Sequence, residues 1–550
     1  MASKPGPVGG PGTKARPSGR AVSQGAACSW PWRCPVYRWR ELVAGAGMEQ
    51  ENLSPRYRRP VEMGEVCPLV ARGRPASGEH RERQSTDAGH RDGPARSSDE
   101  GPVMGPEPRG RAVQGHPTAN PSGEEPGEGP KRKVKSFEIR RRLVYEAWQR
   151  VQANGGAPGV DAVSIERFEA DEVDNLYKLW NRMSSGSYFP GPVRAVEIPK
   201  DHGKGVRVLG VPNTADRVAQ TAAAMLLEEK LEPIFHPDSY GYRPGRSAHD
   251  ALAKTRQRCW TKDWVLDLDV RAFFDSVPHD LLLKAVAHHT DEAWVLLYIE
   301  RWLKAPMQMP DGTLVAREKG TPQGSPISPL LANLFMHYAF DCWMDREYPG
   351  SPFERYADDV VVHCDTEAKA LALRAALAER LGSLGLELHP DKTKIVYCKD
   401  AKRRGSSEHT CFDFLGYTFR ARLAKGRYGF FVSFLPAISA VARKAKGRQI
   451  RAWHLNRRSG TDLSGLAQEI NPQVRGWINY YGAFYRSELY AIAARIDEHL
   501  VRWAMQKFKR LRGRPNRAWR WLDAARLRQP TLFAHWHLLA SPKRRTVGAV

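Results

Sequence analysis

The chain has 550 residues, too many for one ordinary domain, so several are expected. Its net charge of +24 implies a polyanionic partner. No apolar run is long enough to span a membrane, and the basic start is not followed by the apolar stretch of a secretory signal, which argues against a membrane-embedded or secreted protein. The eight cysteines (Cys28, Cys34, Cys67, Cys259, Cys342, Cys364, Cys398, Cys411) include no CxxC spacing, so the reading is a reduced, cytoplasmic protein without a zinc site.

In chain order, residues 1–130 are rich in Gly, Pro, Ser and Arg without a sustained hydrophobic period, and the expectation is disorder. Met48, Met63 and Met104 are alternative translation starts to Met1. Order is expected from about residues 131–137, with a helix through Gln152 and a Gly-rich loop over 155–161. Val196-Glu197-Ile198-Pro199-Lys200 and Gly205-Val206-Arg207-Val208-Leu209-Gly210 read as a β-hairpin around a Gly-rich turn. A basic and aromatic segment follows, Tyr240-Gly241-Tyr242-Arg243-Pro244-Gly245-Arg246-Ser247, suited either to a template contact or to structural support. Next comes an acidic strand, Trp264-Val265-Leu266-Asp267-Leu268-Asp269-Val270, in which alternation puts Asp267 and Asp269 on one face. It runs through a turn with Phe273 and Phe274 into a helix start near Pro278. The Gly/Pro-punctuated loop 319–329 opens onto an apolar helix over 330–340.

Tyr356-Ala357-Asp358-Asp359 then places adjacent carboxylates between two apolar runs. An Asp-Asp pair alone is an ordinary turn feature. Two acidic strand ends that the fold could bring together are a different matter. Carboxylates there need a positive partner, and Mg²⁺ takes a few carboxylates plus substrate phosphates, the arrangement of two-metal phosphoryl or nucleotidyl transfer. A helix over 366–384, the segment His389-Pro390-Asp391-Lys392, and a further hairpin over 412–419 and 428–434 complete this region. Residues 431–550 hold 23 Lys+Arg against 6 Asp+Glu, a net +17 of the chain's +24. They also carry Trp453, Trp477, Trp503, Trp519, Trp521 and Trp536, more than half of which are expected to be core. Basic and aromatic side chains interleaved on helices suit backbone tracking and base stacking. A long basic helix is expected over 491–511.

The succession of Asp269-x-x-x-Phe273-Phe274-Asp275, Pro322-Gln323-Gly324-Ser325, Tyr356-Ala357-Asp358-Asp359, His389-Pro390-Asp391-Lys392 and Phe412-Asp413-Phe414-Leu415-Gly416-Tyr417 resembles the reverse transcriptases and maturases encoded by group II introns, over about residues 137–540. The resemblance implies an α+β right-hand polymerase with a disordered N-terminal extension (1–130), fingers (131–262), palm (263–435), and a helical thumb and RNA-binding maturase region (436–550). It implies Asp269, Asp358 and Asp359 as catalytic carboxylates and, with Val270, as the metal site, holding two Mg²⁺ that Mn²⁺ could replace. Asp267 competes with Asp269, which is favoured because Phe274 follows it where the family's sugar-gating aromatic stands. Lys200, Arg207, Phe274, Gln323, Gly324 and Lys392 resemble the nucleotide pocket, the two fingers cations gripping phosphates. Arg243, Arg246, Arg475, Arg502, Lys507, Lys509, Arg510, Arg512 and Arg514 are the candidate RNA contacts.

The implied partners are the intron RNA, a DNA target or primer and dNTPs, with no membrane and no indication of oligomeric state. Many relatives carry a further endonuclease domain, for which the residues after His537 leave no room. An existing DNA end, such as a nascent strand at a replication fork, is then the expected primer. The rivals are a polymerase-inactive RNA-binding splicing factor and a reverse transcriptase of a retron, diversity-generating or CRISPR-associated class.

Overall fold

The computed structural model describes residues 135–199 and 205–539, so the expectations for residues 1–130 and for Lys200 lie outside it. Eleven strands occur among the described residues: β1 (Val193–Pro199), β2 (Val206–Val211), β3 (Trp264–Asp269), β4 (Met307–Gln308), β5 (Leu314–Val315), β6 (Phe353–Tyr356), β7 (Asp359–Cys364), β8 (Lys394–Tyr397), β9 (Cys411–Phe414), β10 (Tyr417–Gly426) and β11 (Gly429–Ile438). They form three sheets, with orders β2-β1-β4-β5, β6-β7-β3-β8 and β11-β10-β9. Helices fill the remainder, and no helix among the described residues is long and apolar enough to cross a membrane.

The second sheet organises the candidate site. The alternating run of β3 forces its side chains to opposite faces. Leu266 and Leu268, with Val360 and Val362 of β7, enter a core shared with the helices Ser328–Met336 and Glu367–Gly382. Val265, Val361 and Val396 face the other way, onto Phe412, Phe414, Tyr417, Phe419 and Phe434 of the third sheet. Each such fully buried apolar side chain contributes about 1.5–3 kcal/mol of transfer free energy, so the two sheets are held face to face. Both Asp267 and Asp269 alternate with Leu266 and Leu268, which puts them on the side of the third sheet.

Three sequence expectations change. The segment after residue 411 is not one hairpin closing the palm but a three-stranded antiparallel sheet of its own, because β10 pairs with both β9 and β11. The basic helix runs Tyr490–Lys507 and stops where Phe508 turns extended, its ring packing against Trp503 and Trp521; a short 3₁₀ turn, Lys509–Leu511, follows. Of the six C-terminal tryptophans only Trp477, Trp503 and Trp536 are buried, short of a majority; Trp453, Trp519 and Trp521 line the rim of that core. The C-terminal helices have their own core around Ile496, Leu500 and Trp503. They join the third sheet through Tyr480, whose hydroxyl donates to the Leu415 carbonyl at 2.8 Å and whose carbonyl accepts from Tyr417.

Candidate active site

Antiparallel pairing of β3 with β7 sets Asp269 directly opposite Asp359, and β6 with β7 sets Tyr356 opposite Asp359. Asp269, Asp359 and Tyr356 therefore share a face, with Asp358 in the two-residue turn beside them. Asp267 lies one side-chain step further in, opposite Val361. Desolvation pushes the Asp359 carboxyl up to about 7, the neighbouring Asp358 and Asp269 charges adding to it, while the Leu415 backbone N–H works against it. Desolvation also raises Asp358, against which the Arg207 guanidinium and the Asp269 charge act in opposite directions. Asp267 is raised furthest, by burial and then by Asp359, Asp413 and Asp269.

The donor set is thus all oxygen, crowded and short of positive charge, which fits a hard divalent cation. Among the described residues no three His, Cys, Asp or Glu side chains make a ready-made metal cage, as expected of Mg²⁺, which completes its shell with substrate phosphates. Val270 contributes its backbone. The Asp269 carbonyl accepts from His389 N–H at 2.8 Å, so the next carbonyl along the strand, that of Val270, turns to the opposite, β7 side. Lys392 donates to Asp269 Oδ2 at 3.0 Å, a cation already at the carboxylate.

Strain concentrates here. Of six non-glycine residues with positive φ among the described residues, Tyr242, Ala272, Ala357 and Leu415 surround the carboxylates. Ala357, at φ 61°, is the first turn residue between β6 and β7. Such a conformation persists only where neighbours over-determine it, and they do. Arg355 Nη1 donates to the Ala357 carbonyl at 3.1 Å and to Asn333 Oδ1 at 2.9 Å. Its Nε and Nη2 engage both oxygens of Asp341 at 2.7 and 2.6 Å, a pair with no exposure on either side. Asn333 Nδ2 in turn holds the Gly241 carbonyl at 2.7 Å. A Cβ on Gly241 would stand 2.5 Å from the Ala357 nitrogen, so only glycine lets this segment lie under the turn. A single π-helical turn, His337–Asp341, between helices Ser328–Met336 and Cys342–Glu347 offsets the register and delivers Asp341 to Arg355.

Sequence reading missed Arg355, Asn333 and Asp341. The available signal was an arginine inside an otherwise apolar strand, which demands a buried partner.

The candidate nucleotide residues come together only in part. Phe273 is core, whereas Phe274 keeps partial exposure against it, the rings 5.4 Å apart and edge-on. The loop carrying Gln323 and Gly324 is pinned on two sides. Thr321 N–H donates to the Phe274 carbonyl at 2.6 Å, and the Gln323 carbonyl accepts from Gly210 N–H at 2.7 Å. Gly324, at φ 119°, sits where a Cβ would be 2.7 Å from the Gly210 carbonyl oxygen. Arg207 is exposed on β2 and its charge reaches Asp358.

Two candidate RNA contacts are corrected. Arg243 is 6% exposed, its guanidinium spent on Glu232 and on the carbonyls of His236 and Ser239, so it supports the fold. Lys507 donates to the carbonyls of Ser459 and Thr461 at 2.9 and 3.0 Å and staples that loop. Arg246 is half-buried beside the Tyr240 ring, while Arg475, Arg502, Lys509, Arg510, Arg512 and Arg514 are exposed.

Residues 198–419 match the family model described as reverse transcriptase (RNA-dependent DNA polymerase), and residues 443–521 match that of the group II intron, maturase-specific domain. The chain is 34% identical to protein YkfC of Escherichia coli K12 over 315 residues, 50% of this chain and 77% of that protein. It is 30% identical to the group II intron-encoded protein LtrA of Lactococcus lactis subsp. cremoris over 199 residues, 36% of this chain but only 33% of LtrA. The retron Mx65 reverse transcriptase of Myxococcus xanthus is 29% identical over 221 residues, 38% of this chain and 48% of that protein. Among solved structures, apo telomerase of Candida tropicalis aligns with a TM-score of 0.33 and 14% identity over 44% of this chain and 59% of that one.

Proposed function

Because this chain belongs to the family of group II intron reverse transcriptases and maturases, we propose that it copies intron RNA into DNA with the carboxylates of the β3 end and the β6–β7 turn, and binds that RNA through its C-terminal basic helices. The observation that carries the reading is the direct opposition of Asp269 and Asp359 beside Asp358. Asp269, Asp358, Asp359 and the Val270 carbonyl would hold divalent cations, Mg²⁺ by donor chemistry. When bound, these supply activation of a primer 3′-hydroxyl and neutralisation of the departing pyrophosphate.

The chain's own residues do the rest. Arg207, with Lys200, would grip the triphosphate, a role its coupling to Asp358 supports. Phe274, next to the pinned Gln323–Gly324 backbone, would pack under the incoming sugar and select a deoxynucleotide. Lys392, now on Asp269, is within reach of the reacting phosphates and is the candidate proton donor to pyrophosphate. The exposed cations of the last helices would contact RNA phosphates, with affinity that falls steeply with salt. Fingers over 131–262, palm over 263–435 and thumb over 436–550 remain the proposed division. The maturase-domain match at 443–521 favours the intron class over a retron type.

Primer extension on an RNA template with dNTPs and Mg²⁺ tests the carboxylate assignment. Asp269→Asn should abolish cDNA, whereas Asp267→Asn should retain it and raise stability, because a buried charge is removed. Activity lost in Asp267→Asn and kept in Asp269→Asn would reverse the assignment.

A further inference from the structure

Tyr242 stands apart from the support network that surrounds it. Its neighbours are locked. Gly241 lies against the Ala357 nitrogen, and Arg243 is buried against Glu232 and two carbonyls. Tyr242 itself is 44% exposed and has φ 56°, a conformation in which a bulky side chain is strained and glycine is not. Its ring lies 6.1 Å from that of Tyr356, tilted by 47°. Tyr356 is the residue paired with Asp359 and shares the carboxylate face. An exposed aromatic, held at a strained position by buried neighbours, therefore adjoins the turn that carries Asp358.

We propose that Tyr242, with Tyr356, forms a stacking platform for the 3′-terminal nucleotide of the primer, which positions the attacking hydroxyl at the carboxylates. The inference rests on the polymerase reading of this site. Its physical basis is threefold. The reacting 3′-hydroxyl must lie within a few ångströms of the catalytic carboxylates. Every base presents a π-face, so an aromatic platform accepts any primer sequence. Finally, strain that glycine would relieve at this position has a functional explanation in the ring it displays. Tyr242 is on this account a primer-binding residue, distinct from the buried Arg243 beside it.

The test separates the ring from the backbone. Tyr242→Gly removes the ring and relieves the strain; Tyr242→Phe keeps the ring. Three quantities are read: thermal unfolding, the KM and kcat for a primer–template, and quenching of 2-aminopurine placed at the primer 3′ end. The expected result for Tyr242→Gly is an unchanged or higher Tm, a primer–template KM raised about tenfold or more as one stacking contact is lost, and diminished quenching. Tyr242→Phe should restore KM to within about threefold of wild type, since the π-face is intact.

Two results would overturn the platform: a glycine variant with wild-type KM and quenching, or one whose weaker binding follows a fall in Tm. A wild-type protein that binds the probe but extends no primer would sink the polymerase reading instead, and the quenching difference between Gly and Phe would still decide the platform.

Discussion

Arg355 shows how much of the active turn depends on one residue that touches no substrate. Its guanidinium is wholly buried and divides its donors among Asp341, Asn333 and the Ala357 carbonyl. Replacing it by methionine leaves the Asp341 charge buried without its partner, a loss of about 3–5 kcal/mol. Urea unfolding of Arg355→Met should report that loss, and a change below about 1 kcal/mol would mean the pair is not closed in solution. Asp216 gives a pH prediction. Burial raises its carboxyl to about 6, although Tyr188 donates to it. The folded state therefore holds this proton up to about pH 6, whereas the unfolded chain releases it near 4. Between those values the folded form binds more protons, so this group's contribution to stability falls as pH rises and is flat above about 6. Asp216→Asn should accordingly gain stability relative to wild type at pH 7 but not at pH 4; an equal difference at both would contradict the assignment.

At the scale of elements, the loop carrying Gln323 and Gly324 couples the β1–β2 hairpin to the turn after β3. Its backbone is bonded to Phe274 on one side and to Gly210 on the other. Gly324→Ala brings a Cβ to 2.7 Å from the Gly210 oxygen at a φ of 119°, and neither backbone can yield cheaply. Displacement of that loop should lower kcat/KM for dNTPs about ten- to a hundredfold, while RNA binding by the C-terminal helices is unchanged. Single-turnover kinetics and a filter-binding titration would separate the two, and a parallel loss of RNA affinity would refute the coupling.

The elements were largely legible beforehand. Strands β3 and β7 announce themselves by period-two apolar runs, and the helix after Thr366 by its capped start. The support under the turn was not legible, since Asn333 and Asp341 meet Arg355 only through a π-helical offset that no local pattern encodes. Arg243 misled for a related reason: a cation's partners lie elsewhere in the chain, and without them it looks like a surface charge.

Over the whole molecule, charge and chemistry divide along the chain. The carboxylates sit between two sheets in the middle, and +17 of the net +24 lies in the last 120 residues. The third sheet joins them, carrying Leu415 to Asp359 at one point and to Tyr480 at another. Contiguous matches to a polymerase family and a maturase domain follow the same division.

Its central consequence is that copying and RNA holding are separable, and one paired assay decides it. Wild type and Asp358→Ala would be compared for cDNA synthesis on an RNA template and for splicing of the cognate intron at low Mg²⁺. The account predicts cDNA from wild type alone and undiminished splicing from both. A wild type that promotes splicing but makes no cDNA, or an Asp358→Ala variant that still makes it, would contradict the account.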